Sequence, residues 1–370
     1  MKPLPVIAAL VLSACAQSLS PLSGQTPSFR VDPSWPKPLP EENGVQLVLG
    51  QVAGIAVDDR NSHVWIVHRP ATLLADEWNA KEARPVTHRC CKSVAPVAEF
   101  DAAGNYVRGW APSDPKAQWP KMEHGIYIDP EGNVWLAGNG EEDNQILKFT
   151  PEGKFLMQIG RAGKSEGSNS RTQLGRPAHM VMDPKAQELY VADGYGNKRV
   201  VVFDAKSGAY KRHWGAYGAT PSDEAQPRYD PNQPASRQFG NPVHCVRLSS
   251  DGKVYVCDRV NDRIQVFEPS GKYLQEFRVE PLTRANGSAW DMVLSHDAAQ
   301  KFIYVADGAN GRVYILNRAD GSQVSSFGRT GRMAGEFKWV HNIAIDRQGN
   351  LYTAEVGFGR RVQKFNLLSF

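Results

Sequence analysis

Val254-Tyr255-Val256-Cys257-Asp258-Arg259-Val260-Asn261-Asp262-Arg263-Ile264-Gln265-Val266-Phe267 decides the fold. Two short runs rich in β-branched and aromatic residues flank a polar connection of Asp, Asn and Arg. This predicts two antiparallel strands joined by a short loop. A close copy stands at Tyr304–Tyr314. Upstream of Val254 lies a further apolar strand that ends in Ser249, followed by an Asp-Gly turn. That first strand recurs six times, at Gly54–Asp58, Gly125–Asp129, His179–Asp183, Cys245–Ser249, Asp291–Ser295 and Asn342–Asp346. Second strands follow, such as Asn133–Ala137 and Lys253–Cys257, and then third strands, such as Arg263–Phe267 and Arg361–Phe365.

Regularly spaced turns between β-rich runs mark repeated antiparallel sheets, and radial stacking of such sheets protects most strand edges. The expectation is an all-β, six-bladed β-propeller. The last repeat shows three strands, so a strand from Phe29–Leu49 is expected to complete it and close the ring.

The 370 residues are 41% apolar and 22% charged, an ordinary soluble composition. The formal charge of +4 is thinly spread, which argues against nucleic acid as a partner. The length would suit two domains, but ring repeats run long as single units, so 43–370 is read as one propeller. Residues 16–42 are Pro- and Ser-rich and read as a tether with a leading strand. Residues 1–15 read as an export signal, a short apolar stretch ending Leu12-Ser13-Ala14-Cys15. This fits a lipoprotein signal with Cys15 acylated, and Ala14-Cys15-Ala16 also fits an ordinary cleavage site. Both imply a periplasmic or outer-surface protein that meets a membrane only through a lipid anchor. No later run is long and apolar enough to span one. A monomer is expected. Cys90-Cys91 and the hairpin pair Cys245 and Cys257 are free to form disulfides in that compartment, and the sequence leaves both open.

Five residues before the closing Asp or Ser of each first strand stand Ala53, His124, Ala178, His244, Trp290 and His341. Histidine thus occupies one repeat position in the second, fourth and sixth copies only. In a six-fold ring those copies form a pseudo-threefold set, and the position lies beside the axis. Three imidazoles would converge there. Three neutral imidazoles with an open fourth position are a catalytic type of zinc site. A lone histidine would be read as a satisfied core or turn residue, and His68, His88, His179, His213 and His296, off this register, are read so.

The loop after each second strand returns to the same face. Those loops carry His68-Arg69-Pro70, Asp193-Gly194-Tyr195-Gly196-Asn197 and Asp258-Arg259-Val260-Asn261. Arginine offers a rigid fork for a carboxylate, and a tyrosine beside a divalent cation can serve as a base. Packed or surface roles are the plain alternatives for Tyr195, Arg69 and Arg259. Arg199, Arg263, Arg312 and Arg361 recur just before third strands and are read as structural.

The strand motif resembles the NHL repeat. The chain from about Leu49 to Phe370 resembles the peptidyl-α-hydroxyglycine α-amidating lyases. The most specific pieces are Leu49–Asp58 followed by His68-Arg69, Glu123–Ile126, Asp193-Gly194-Tyr195, Val243-His244 with Asp258-Arg259, and Val340-His341-Asn342. The resemblance implies that His124, His244 and His341 hold zinc, that Tyr195 is the catalytic tyrosine, and that Arg69 and Arg259 are active-site arginines. It implies cleavage of a carbinolamide, R-CO-NH-CH(OH)-COO⁻, to an amide and glyoxylate, as by a peptidylamidoglycolate lyase (a carbon–nitrogen lyase). It also implies a structural calcium on the carbonyls of Ile55 and Ile126 and an aspartate after the third histidine. Asn342 stands in that place, and a neutral amide is a weaker ligand for a hard cation. Other departures are Trp339 at a methionine position, and Gly196, Tyr255 and Val266 at cysteine positions. A monooxygenase domain is not expected ahead of the propeller.

Three functions remain open on the sequence. The first is a metal-dependent lyase on peptide or small-molecule carbinolamides. The second is a zinc hydrolase acting on lactones or esters at the same site. The third is a non-catalytic binding propeller.

Overall fold

The protein is described from a computed structural model that places residues 26–74, 77 and 90–369. Residues 1–15, with Cys15, and His88 lie outside these residues.

Among them are six four-stranded antiparallel sheets. Their innermost strands are Gln51–Asp58, Glu123–Ile128, His179–Asp183, Val243–Leu248, Asp291–Leu294 and Val340–Ile345. These strands touch in chain order, and the last touches the first. The opening stretch forms the middle two strands of the fourth sheet, with Val254 opposite Phe267 and Asp258 opposite Arg263. The first five sheets each have an outer fourth strand that the sequence did not reveal, such as Phe155–Gly160 and Tyr273–Arg278. These strands are half-exposed, so their residues carry a weaker apolar pattern. In the sixth sheet the outer strand is Ser28–Asp32, paired with Arg361–Ser369. The N-terminal segment therefore closes the ring, and its strand lies within 16–42. A small three-stranded sheet of Glu41–Glu42, Val45–Val48 and Cys91–Ser93 stands apart from the six.

Six apolar clusters hold the sheets together, each built from two neighbours. One joins Trp65 and Val97 of the first sheet to Ile126 and Phe149 of the second. Another joins Ala344 and Tyr352 of the sixth to Ile55 and Phe100 of the first. Every sheet is thus buried on both faces, which suits its continuous β-branched runs.

The recurrent turn has a local cause. Asp129 accepts the main-chain N–H of Glu131 (3.1 Å) and Asn133 (2.7 Å) and the Trp135 indole (3.0 Å). Gly132 closes the turn at φ +90°, where a side chain would be strained. Cys245 faces Cys257 across the fourth sheet's first hairpin, and the two are bonded. Cys90 is joined to Cys91.

Of the recurrent arginines, Arg199, Arg263 and Arg361 pair with Asp193 (2.8 Å), Asp258 (2.7 Å) and Glu355 (2.7 Å) at the ends of the second strands. Arg312 is exposed and bonds Ser326 (3.3 Å) instead.

Candidate functional site

Each of the three in-register histidines sits at a bulge in the pairing of its inner strand. Pairing slips between Glu123 and Ile126, between Val243 and Cys245, and between Val340 and Asn342. An extra residue at a bulge re-aims a side chain that would otherwise enter the space between sheets. Here it sends His124, His244 and His341 to the axis. All three are buried, and their ligand atoms lie within 4.8 Å of one another. Nε2 of His244 is 3.2 Å from Nε2 of His341. Tetrahedral ligands on bonds of about 2.0–2.1 Å lie roughly 3.3 Å apart, so this pair has metal-holding spacing.

The other ring nitrogens explain why Nε2 faces inward. Nδ1 of His124 donates to the Ala178 carbonyl (2.8 Å), Nδ1 of His244 to that of Trp290, and Nδ1 of His341 to that of Ala53 (2.7 Å). Each acceptor occupies the histidine's own repeat position in the next sheet. The set is therefore threefold in its second contacts as well, and each bond fixes the tautomer that leaves Nε2 a lone pair. Gly125 permits the first bond, because a Cβ there would lie 2.5 Å from the Ala178 oxygen. Burial holds the pKa of His124 and His244 well below the ordinary value, and that of His341 down to about 3. The three rings are neutral at pH 7, the form that binds a metal.

Tyr195 reaches this centre from the third sheet. Its hydroxyl is 3.0 Å from Nε2 of His124 and 3.1 Å from Nε2 of His244. Arg259 brings Nη1 to 3.4 Å from the same hydroxyl and stacks its guanidinium 4.4 Å from the Trp290 ring centre. Arg69 is held on three sides by neutral acceptors: the Glu123 carbonyl (2.8 Å), Gln51 (3.2 Å) and Asn139 (3.1 Å). Burial lowers the pKa of both arginines, and Tyr195 opposes that shift. The Glu123 carboxyl is engaged by the Trp119 indole (2.9 Å). Thus the structure brings all six residues named for zinc and catalysis to one place.

The residues named for calcium do not fit that ion. Asn342 turns its oxygen to Nδ1 of His341 (2.8 Å) and its nitrogen to Asp291 (3.1 Å). The charge in this layer is organic: Arg247 donates to Asp291 (2.8 Å) and to the Ile343 carbonyl (3.0 Å). Ile343 holds the same repeat position as Ile55 and Ile126. A guanidinium already satisfies the buried carboxylate that a hard cation would need.

Three residues of this face escaped the sequence reading, and a fourth, Trp290, was read only as a register position. Arg176 places its guanidinium 5.8 Å from the Tyr195 ring centre. Asn139 binds both Arg69 and Arg176. Asn241 donates to the carbonyls of Gly194 (2.7 Å) and Asn197 (2.9 Å), tying the Tyr195 loop to the strand of His244. Trp290 stacks edge-on with Trp339, ring centres 5.5 Å apart. A signal existed for Arg176, which stands two residues before the third repeat's Ala178, as Trp339 does before His341.

Three known proteins are similar to the chain at low identity. The chain is 26% identical over 335 residues to peptidyl-glycine alpha-amidating monooxygenase B of Xenopus laevis, covering 88% of this chain and 34% of that protein. It therefore spans about a third of that relative's length. It is 26% identical to peptidyl-alpha-hydroxyglycine alpha-amidating lyase 1 of Drosophila melanogaster, over 66% of this chain and 44% of the other. It is 24% identical to NHL repeat-containing protein 3 of Mus musculus, over 92% and 85%. The family model described as lactonase, seven-bladed β-propeller, matches residues 152–355, more than half of the chain. Repeated sheets, their order and this match together place the chain in the lactonase β-propeller family, with the amidating lyases and NHL-repeat proteins among its relatives.

Proposed function

We propose that this protein is a metal-dependent carbon–nitrogen lyase that cleaves N-acyl- or peptidyl-α-hydroxyglycine to an amide and glyoxylate. One observation carries the reading: the phenol of Tyr195 stands within hydrogen-bond reach of two of the three imidazoles, with arginines around it.

His124, His244 and His341 would hold a divalent ion, zinc in the first instance, through Nε2. Bound there, such an ion supplies Lewis-acid polarisation of a substrate oxygen. The rest falls to the chain. Arg69 and Arg259 bind the α-carboxylate and orient the hydroxyl toward Tyr195. Tyr195, as phenolate, takes the hydroxyl proton. The C–O bond becomes the aldehyde C=O of glyoxylate as the C–N bond breaks with its electron pair on nitrogen. The proton passes from Tyr195 to that nitrogen and completes the amide. Arg259, 3.4 Å from the phenol oxygen, offsets the charge that this oxygen carries before the proton arrives.

The test is glyoxylate release from α-hydroxyhippurate by metal-loaded protein. Chelation is expected to abolish it, and Tyr195→Phe to lower kcat by about 10²–10⁴-fold. Zinc-loaded protein that yields no glyoxylate from any carbinolamide would sink the reading.

The lactonase family match favours a second reading, hydrolysis of a lactone by a metal-activated water at the same imidazoles. Turnover of a lactone panel with silence on carbinolamides would select it. A propeller that only binds a partner would contain no stoichiometric metal. We further propose export, which the two disulfides support.

A further inference from the structure

Arg176 sits on the metal-bearing face with a task that its own contacts leave open. Its main chain is committed: the N–H donates to Asn144 (2.8 Å) and the carbonyl accepts from Tyr195 (3.1 Å), at a φ of +58°. A non-glycine residue held there is strained, so the side chain has a reason to be where it is. Nε donates to the Asn139 carbonyl (2.9 Å), which aims the fork. The two terminal nitrogens have no hydrogen-bond partner among the described residues, so a bidentate edge stands unused. Asn139 also binds Arg69 through its side chain (3.1 Å). One residue therefore sets the spacing of two guanidinium groups.

The charge around Tyr195 is one-sided. Arg69, Arg176 and Arg259 all surround it, and none forms an ion pair with a carboxylate among the described residues. A divalent ion on the imidazoles would add two more positive charges. A monocarboxylate substrate answers only one of these. Clustered arginines with no ion-paired carboxylate mark a site whose counter-charge arrives with the ligand.

The geometry points to Arg176 as a specificity-determining residue for a second anionic group. The preferred substrate is then an N-acyl-α-hydroxyglycine whose acyl part carries its own carboxylate. Arg69 and Arg259 serve the α-carboxylate, and Arg176 takes the second. This rests on the carbinolamide reading given above.

The experiment compares N-succinyl-α-hydroxyglycine with its near-isosteric N-succinamoyl analogue, by glyoxylate release, in wild type, Arg176→Gln and Arg176→Lys. Wild type is expected to favour the diacid about tenfold or more in kcat/KM, mainly through KM. Arg176→Gln abolishes that preference, and Arg176→Lys retains part of it. Equal use of both compounds by wild type overturns the proposal. So does an equal loss on both in Arg176→Gln, which would assign Arg176 to the shared α-carboxylate. Absence of glyoxylate from either compound counts against the lyase reading alone. Succinate binding by calorimetry then decides the anion site, and equal affinity in wild type and Arg176→Gln overturns it.

Discussion

His68 is fully buried one position before Arg69, yet its role is structural. Nδ1 accepts the Gly50 N–H (3.2 Å), and Nε2 donates toward the carbonyls of Val94 (3.2 Å) and Ala95 (3.1 Å). The ring is a neutral bridge, and burial pushes its pKa down to about 4. The unfolded chain binds a proton near pH 6.5, so between these values the unfolded state holds more protons than the folded one. The stabilisation is whole above pH 6.5 and is lost as pH falls toward 4. Its size is on the order of 3 kcal/mol. We expect His68→Gln to flatten the acid limb of unfolding free energy against pH between 6.5 and 4. An unchanged slope would mean that the ring is not neutral in the fold. Contacts of this kind were only half legible. The register separated His68 from the metal-type histidines, but its carbonyl partners come from a segment more than 25 positions away.

At the scale of the strand, the bulges and the bonds between inner strands decide what the axis holds. Arg247 of the fourth sheet reaches Asp291 of the fifth and the Ile343 carbonyl of the sixth, linking three inner strands through one guanidinium. Asp291 is wholly buried, and the Arg247 charge helps hold its pKa below the usual carboxylate range. Removing that charge leaves an unpaired buried carboxylate, which costs about 3–5 kcal/mol. We therefore expect Arg247→Met to lower Tm markedly. Millimolar calcium should leave the Tm of the wild-type protein unchanged. A calcium-dependent rise in wild-type Tm would show that the ion has a seat here after all. The sequence showed Asn342 in place of an aspartate. It could not show that Asp291 and Arg247 fill the layer, because those residues belong to different repeats.

At the scale of the molecule, the ring is closed by chain ends far apart in sequence. Ser28–Asp32 pairs with Arg361–Ser369, and Phe29 packs against Tyr304 and Phe327 with ring centres 5.2 and 5.3 Å away. Covering Phe29 and Val31 of this strand, both partly buried, is worth about 2–5 kcal/mol. A chain begun at residue 33 is expected to melt roughly 5–10 °C lower than one that retains the strand. It should also hold metal less tightly, since His341 bonds the Ala53 carbonyl across the sixth and first sheets. Equal melting of the two chains would show that the ring is not held there.

The sequence by itself determined the repeat, the closing strand and the alternation of histidine through six copies. These are properties of spacing, and strand period and turn chemistry are local. Only the tertiary structure decided that Arg176 joins the site, that Arg247 fills the axial layer, and that each imidazole is held by the following sheet. Those contacts cross repeats; the bond from His341 to Ala53 spans 288 positions. No local pattern encodes such a bond, because it exists only once the sheets have closed into a ring.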